Sequence, residues 1–257
     1  LLNGNQTALM FVYYLITRWK ELGKINGKEY IVKTIVTTET IKTIAERNGV
    51  EMYDVYTGFK WIANVMRENE GKKNYIGGGE ESYGFLCEDF VRDKDAVSAC
   101  VILAEIAAWA KDQGLSLYQL LQKIYVEYGF SKEKGISVVK KGKSGAEEIE
   151  AMMKKFRENP LTEIAGSKVT YFYDYSTLKG KDYAENETVT LDMPTTSNVL
   201  QYFTEDNTKV SIRPSGTEPK IKFYCEVHSK VKSIDELPEA EKAAEEKINQ
   251  IKASLGI

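Results

Sequence analysis

Between Leu1 and Gly114 the chain alternates short β-branched or glycine-ending runs with longer stretches of helical spacing. No other feature narrows the possible folds as much. IVKTIV (31–36), EMYDVY (51–56) and NYIGGGE (74–80) read as strands. TALMFVYYLITRWKEL (7–22) is apolar on most faces, as in a buried helix, and Gly23 ends it. TTETIKTIAERNG (37–49) offers a hydroxyl cap, helical spacing and an Asn48-Gly49 stop. Thr57-Gly58 opens the helix FKWIANVMREN, and Asp95 caps AVSACVILAEIAAWAKD, which stops near Gly114. This order predicts an α/β domain, a mainly parallel sheet with helices on both faces. Ligands of such sheets bind at the carboxyl ends of strands, so the loops after Tyr56 and Ile76 are the expected site.

LSLYQLLQKIYVEYG (115–129) predicts a helix leading out of that domain. The pattern then changes. Strand-like stretches at 136–140, 168–175, 208–213 and 220–228 surround one helix, GAEEIEAMMKKFREN, and a charged helix runs from Asp235 to Leu255. That layout predicts an α+β domain with an antiparallel sheet. The expected domains are residues 1–126 and 127–257.

A net charge of −3 with interspersed acids and bases argues against nucleic-acid or membrane-surface partners. Three separated cysteines (Cys87, Cys100, Cys225) and one histidine (His228) make neither a zinc site nor a disulfide framework. The thiols suit a reducing, cytoplasmic compartment, and His228 reads as structural or solvent-exposed. No run approaches the ~18 apolar residues of a membrane span, and no signal peptide is visible. The opening Leu1-Leu2-Asn3 lacks a methionine and resembles the tail of a strand, so a piece of a longer polypeptide is expected.

Two loops carry chemistry. Between strand-like flanks lies Arg213-Pro214-Ser215-Gly216-Thr217-Glu218-Pro219-Lys220. A guanidinium matches two phosphate oxygens, hydroxyls donate one bond each, and a glycine lets successive N–H groups face one concavity. Arg213, Ser215, Gly216 and Thr217, with Lys220 nearby, form a candidate phosphate grip, although Pro, Ser and Gly also populate ordinary turns. It is no Walker loop. The second loop is GGGEESYGF (77–85). Glu80, Glu81 and Ser82 follow the glycines; one glutamate with one serine can read a pair of sugar hydroxyls, and adjacent glutamates at a strand end tend to point apart. Lys60, in the first turn of the helix after Thr57-Gly58, suits an anion. Arg92 and Lys94, before the Asp95 cap, read more simply as solvated.

With both loops in view, the chain resembles the carboxyl-terminal half of an α-D-phosphohexomutase, most like a phosphoglucomutase. The resemblance rests on LNGNQTALM, KTIVTTE, TGFKWI, GGGEESYG, VRDKDAVSA and RPSGTEPKIKFY, in that order. It implies a third mutase domain followed by a TATA-box-binding-protein-like fourth. It implies a site where Glu80 and Ser82 meet the sugar 3- and 4-hydroxyls, with Lys60 facing the same cleft. Arg213, Ser215, Gly216 and Thr217 would grip the phosphate that is not transferred. The whole enzyme would move phosphate between C1 and C6 of a hexose through a bisphosphorylated intermediate, using Mg²⁺ and hexose 1,6-bisphosphate. The phosphoserine and Mg²⁺ segments of the family do not occur here, so no catalytic or metal residue is assigned. The expected partners are a phosphohexose such as glucose 1-phosphate or glucose 6-phosphate, and missing amino-terminal domains. Where many relatives continue Gly-His after the glutamate loop, Tyr83-Gly84 stands here. A regulatory phosphosugar-binding module, a phosphopentomutase-type relative and a metal-dependent hydrolase using Glu80 and Glu81 are the alternatives.

Overall fold

Helix α1 (Gly4–Glu21) starts three residues before the apolar pattern does, because Asn3 caps it. Asn3 Oδ1 accepts the Gln6 N–H at 2.9 Å, and Gln6 Oε1 accepts the Asn3 N–H at 2.9 Å, so two otherwise orphaned donors are satisfied reciprocally. The computed structural model describes residues 1–140 and 142–257, the side chain of residue 143 apart. They divide into two units, Leu1–Phe130 with Lys230–Leu237 and Ser131–Ser229 with Pro238–Ile257.

In the first unit α1 is followed by β1 (Glu29–Thr34), α2 (Thr40–Arg47), β2 (Glu51–Val55), α3 (Phe59–Asn69), β3 (Asn74–Gly79), β4 (Phe85–Cys87), α4 (Ala96–Asp112) and α5 (Leu117–Tyr128). The sheet order is β2-β1-β3-β4. β1 pairs parallel with β2 and β3, and β4 returns antiparallel on β3, with Gly79 opposite Phe85. The expected α/β sheet is therefore present with one antiparallel edge. That edge makes residues 80–84 the turn of a hairpin, which the sequence had not suggested. α2 also departs from expectation, since Glu39 is its cap residue and makes no side-chain cap bond.

β1 is buried along its whole length, as the middle strand of a covered sheet must be. On one face Tyr30, Val32, Val55 and Tyr75 pack with Phe59, Ile62 and Met66 of α3. Near α1, Phe11 stacks on Phe85 at 4.6 Å. The glycine run of β3 is explained by close approach: a Cβ on Gly78 would lie 2.3 Å from the Val32 carbonyl oxygen.

The second unit contains β5 (Phe130–Val139), α6 (Gly142–Glu158), β6 (Glu163–Ile164), β7 (Ser167–Asp174), β8 (Lys179–Asp182), β9 (Glu187–Thr190), β10 (Leu200–Thr204), β11 (Lys209–Pro214), β12 (Lys220–Ser229) and α7 (Leu237–Leu255). The main strand order is β5-β12-β11-β10-β7-β8-β9, with antiparallel pairing from β12 through β9 and β6 paired to β7. The expected antiparallel α+β layout is present, richer by β6, β8, β9 and β10. KGKD and ETVT are too short and polar to show a strand period. Among the described residues no helix is long and apolar enough to cross a membrane.

Alternation splits β11 and β12 cleanly. Val210, Ile212, Ile221, Phe223 and Cys225 are buried on one side, where Phe223 meets Phe156 of α6 at 6.3 Å. Lys209, Ser211 and Arg213 share the other side, opposite Glu226, Tyr224 and Lys222. There Lys209 Nζ lies 2.8 Å from Glu226 Oε2, and His228 Nε2 lies 2.8 Å from Glu226 Oε1. Burial pulls the His228 pKa down, but the Glu226 carboxylate outweighs it and holds the pKa above the ordinary imidazole value. A raised folded pKa stabilises fully below the unfolded value, about 6.5, and the contribution is lost as pH rises through the folded value. Urea midpoints of the wild type should therefore fall relative to those of His228→Gln as pH climbs above ~6.5. Parallel midpoint curves for the two proteins would contradict this.

Candidate functional site

The hairpin turn after β3 sits at the carboxyl end of that strand, where the α/β pattern places ligands. Its two glutamates diverge, as neighbouring residues at a strand end should. Glu80 is buried, and its Oε1 accepts the Gly58 N–H at 2.8 Å, tying this turn to the loop that opens α3. Its own N–H donates to the Gly84 carbonyl at 2.8 Å, closing the turn. Glu81 Oε2 instead accepts from Thr34 Oγ1 at 3.3 Å. Ser82 is exposed. Tyr83 takes φ +72°, an uncommon conformation for a non-glycine residue, and its hydroxyl donates to the Leu2 carbonyl at 3.1 Å.

Lys94 is the residue that reading the sequence undervalued. Its side chain crosses the same turn: a Cβ on Gly84 would meet Lys94 Cδ at 2.9 Å and Glu80 Oε2 at 3.2 Å. Its ammonium lies 5.8 Å from the centre of the Phe59 ring and 3.3 Å from Asp93 Oδ1. The available signal was its position one residue before the Asp95 cap, on the connection that follows β4. Lys60 is placed differently. Its ammonium rides over Trp61 at 5.0 Å and lines a groove of about 390 Å³ with Ala63, Asn64, Arg67, Arg92 and Asp93. Among the described residues no hydrogen bond or ion pair joins Lys60 to Glu80 or Ser82. Arg92 is paired with Glu70 at 3.0 Å.

In the second unit the loop between β11 and β12 is folded by its own serine. Ser215 Oγ accepts the N–H groups of Thr217 at 3.4 Å and Glu218 at 3.3 Å, while Ser215 N–H donates to the Lys220 carbonyl at 2.7 Å. Gly216 and Thr217 are exposed at the tip. A Cβ on Gly216 would find open space, and its φ is not left-handed, so the loop's shape does not require glycine there. What a glycine leaves at that tip is room for a close approach. Glu218 turns to Lys220, 2.7 Å away, whose ammonium holds that carboxyl below its usual range. Arg213 is half-buried at the end of β11, and its side chain makes no hydrogen bond or ion pair among the described residues. The loop thus presents an uncommitted guanidinium beside exposed hydroxyl and backbone donors, an arrangement that suits an oxyanion. Its flank forms one wall of a groove of about 520 Å³, the other being Ala146, Ile149, Met153 and Arg157 of α6.

Among the described residues no three His, Cys, Asp or Glu side chains stand together as metal ligands. The divergence of Glu80 and Glu81 is the local reason at the hairpin turn.

Residues 3–128 match the family model described as phosphoglucomutase/phosphomannomutase, alpha/beta/alpha domain III, and residues 137–244 match that of the C-terminal domain of the same family. A phosphoglucomutase of Staphylococcus aureus is 38% identical over 222 residues, covering 86% of this chain and 39% of the relative. One from Staphylococcus haemolyticus is 34% identical over 225 residues, covering 88% and 40%. The chain thus spans about two fifths of the length of these curated relatives. Among solved structures, the open form of the Paramecium phosphoglucomutase parafusin shares the fold at TM-score 0.57 and 17% identity, covering 97% of this chain and 42% of that one. A phosphoglucomutase/phosphomannomutase family protein of Burkholderia thailandensis does so at 0.57 and 16%, covering 99% and 42%.

Proposed function

Because the chain belongs to the phosphoglucomutase/phosphomannomutase family, we propose that it is the substrate-holding part of an enzyme that interconverts hexose 1-phosphate and hexose 6-phosphate. The observation that carries this reading is the uncommitted Arg213 beside the serine-folded loop. Residues 127–257 grip the phosphate that stays in place, through Arg213, Ser215, Gly216, Thr217 and Lys220. Residues 1–126 read the sugar. Glu80 spends Oε1 on Gly58, which leaves Oε2, beside Lys94, to accept from a sugar hydroxyl, with Ser82 exposed next to it. Lys60 adds positive charge at the same end of the sheet.

A site that takes one sugar in two orientations needs a fixed anion anchor and a reader of hydroxyls near the middle of the ring, and the two loops are of those two kinds. Glucose phosphate is the assigned substrate. Mg²⁺ and hexose 1,6-bisphosphate belong, in this reading, to the remainder of a longer cytoplasmic polypeptide. The donor set described above does not fit a divalent cation, and no step is assigned to one here. This chain by itself should bind without turning over, and phosphate exchange between the C1 and C6 esters by the purified chain would overturn that assignment.

Backbone-amide NMR tests the grip. Glucose 1-phosphate should shift the amides of residues 213–217 and free glucose should not. Arg213→Ala removes a charge-assisted fork worth ~2 kcal/mol or more, so affinity should fall about thirtyfold. Unchanged affinity in the variant, or shifts caused equally by glucose, would reject the grip.

A further inference from the structure

Helix α3 carries positive charge that no acid balances. Lys60, Asn64 and Arg67 stand at positions i, i+4 and i+7, so one face of the helix presents all three. That face is one wall of the groove of about 390 Å³, and Arg92 and Asp93, on the connection that enters α4, are the other. The volume falls in the range of small-molecule sites.

An exposed helix face usually mixes charges of both signs, each cation near an acid. Here the acids are committed elsewhere. Glu68 Oε1 accepts from Asn64 Nδ2 at 2.7 Å, and Glu70 pairs with Arg92 at 3.0 Å. Asp93 Oδ1 takes the backbone N–H of Lys94 at 2.8 Å and its ammonium at 3.3 Å. The two helix cations are held by neutral groups instead. The Lys60 ammonium lies over the Trp61 ring at 5.0 Å, and Arg67 Nη2 donates to Asn64 Oδ1 at 3.0 Å. Neither has an acid partner among the described residues. A cation fixed by a neutral contact keeps its charge and has already given up part of its freedom, so an incoming anion has less to order. The pair of Arg92 with Glu70 is solvent-exposed, and such pairs contribute little, so Arg92 can turn to a ligand at small cost.

The spacing sets the shape of the occupant. Seven residues of helix advance about 10 Å, so Lys60 and Arg67 address two ends of a molecule, not one atom. A guanidinium matches phosphate oxygens as a fork, and an ammonium meets phosphate as a point charge. Glu70 lies just beyond Arg67, so its partner Arg92 belongs to the Arg67 end. We propose that the α3 groove binds a small polyanion with two separated phosphate groups, one at Lys60 and one on the side of Arg67 and Arg92. This site lies in the first unit and does not rest on the Arg213 grip.

The test compares two probes of similar charge. Fructose 1,6-bisphosphate holds its phosphates apart, and inorganic pyrophosphate holds them together. Both are titrated into the full chain carrying Arg213→Ala, with backbone amides followed by NMR. The sugar bisphosphate should shift the amides of residues 60–67 and 91–93 and bind about tenfold tighter than pyrophosphate. Its affinity should fall as ionic strength rises from about 0.01 to about 0.15 M. Adding Arg67→Gln, at an exposed position where thermal unfolding should not change, should weaken it about tenfold or more. Absence of these shifts, equal affinity for pyrophosphate, binding indifferent to salt, or an Arg67→Gln variant that binds as well each overturns the proposal. Shifts seen only at residues 213–217, and only when Arg213 is intact, overturn it while leaving the grip in place.

Discussion

Gly4→Ala should destabilise the chain by about 3 kcal/mol or more, an effect far beyond the usual alanine-for-glycine change in a helix. Replacing glycine by alanine inside a helix normally helps, by about 1 kcal/mol. Here the added Cβ would lie 1.8 Å from the Glu81 carbonyl oxygen and 2.9 Å from the Tyr83 nitrogen. Both are backbone atoms and cannot swing aside as a side chain would. The helix end cannot easily retreat either. The Asn3–Gln6 capping box holds it, and Asn5 Oδ1 accepts the Thr38 N–H at 3.0 Å. The turn that must yield carries Glu80 and Ser82, so under the function proposed above the same variant should also weaken glucose 1-phosphate binding. Urea denaturation checks the first part. A midpoint corresponding to less than about 0.5 kcal/mol of loss would show that the helix and the turn are not locked together.

Lys209→Met should cost a comparable 3–5 kcal/mol, for an electrostatic reason. Lys209 and Glu226 are both almost wholly inaccessible, and their charges lie 2.8 Å apart. Burial raises the Glu226 pKa, while Lys209 and then His228 drive it in the opposite direction, to a net value far below the carboxylate range. Methionine fills the lysine's volume but leaves a buried carboxylate without its main counter-charge. If charge is the cause, Lys209→Met combined with Glu226→Gln should recover much of the loss. If the double variant is as unstable as the single one, packing and not charge explains the cost. The pair lies on the same face of β11 as Arg213, at the other end of the strand. Rigidity there helps to fix the strand from which the Ser215–Thr217 loop projects.

Several elements were legible without coordinates because their causes are local. α3 and α4 occupy the residues their patterns indicated, Phe59–Asn69 and Ala96–Asp112, since Gly58 and the Asp95 side chain mark their starts. The donors of the loop from Arg213 to Lys220 could be listed in advance because side-chain functional groups are written directly in the sequence. Strand β4 could not be anticipated. Phe85–Cys87 is three residues long, and only its partner β3 makes it a strand. Lys94 was passed over for a related reason. A lysine before a helix cap is ordinary until a distant turn folds under it.

What the sequence determined by itself is the alternation that demands a covered parallel sheet, the change to antiparallel architecture beyond it, and the two loops with their donors and acceptors. Those follow from periodicity and functional-group chemistry, which act over a few residues. The tertiary structure alone decided that Glu80 reaches Gly58 while Glu81 reaches Thr34, that Gly4 must stay bare, and that Gly216 is not needed for its loop's shape. It also decided that one side of α4 stays open while the other is buried. These are matters of which distant backbone approaches which side chain, and no local pattern encodes an approach between residues 22, 47 or 77 positions apart, as Gly58 and Glu80, Thr34 and Glu81, and Gly4 and Glu81 are.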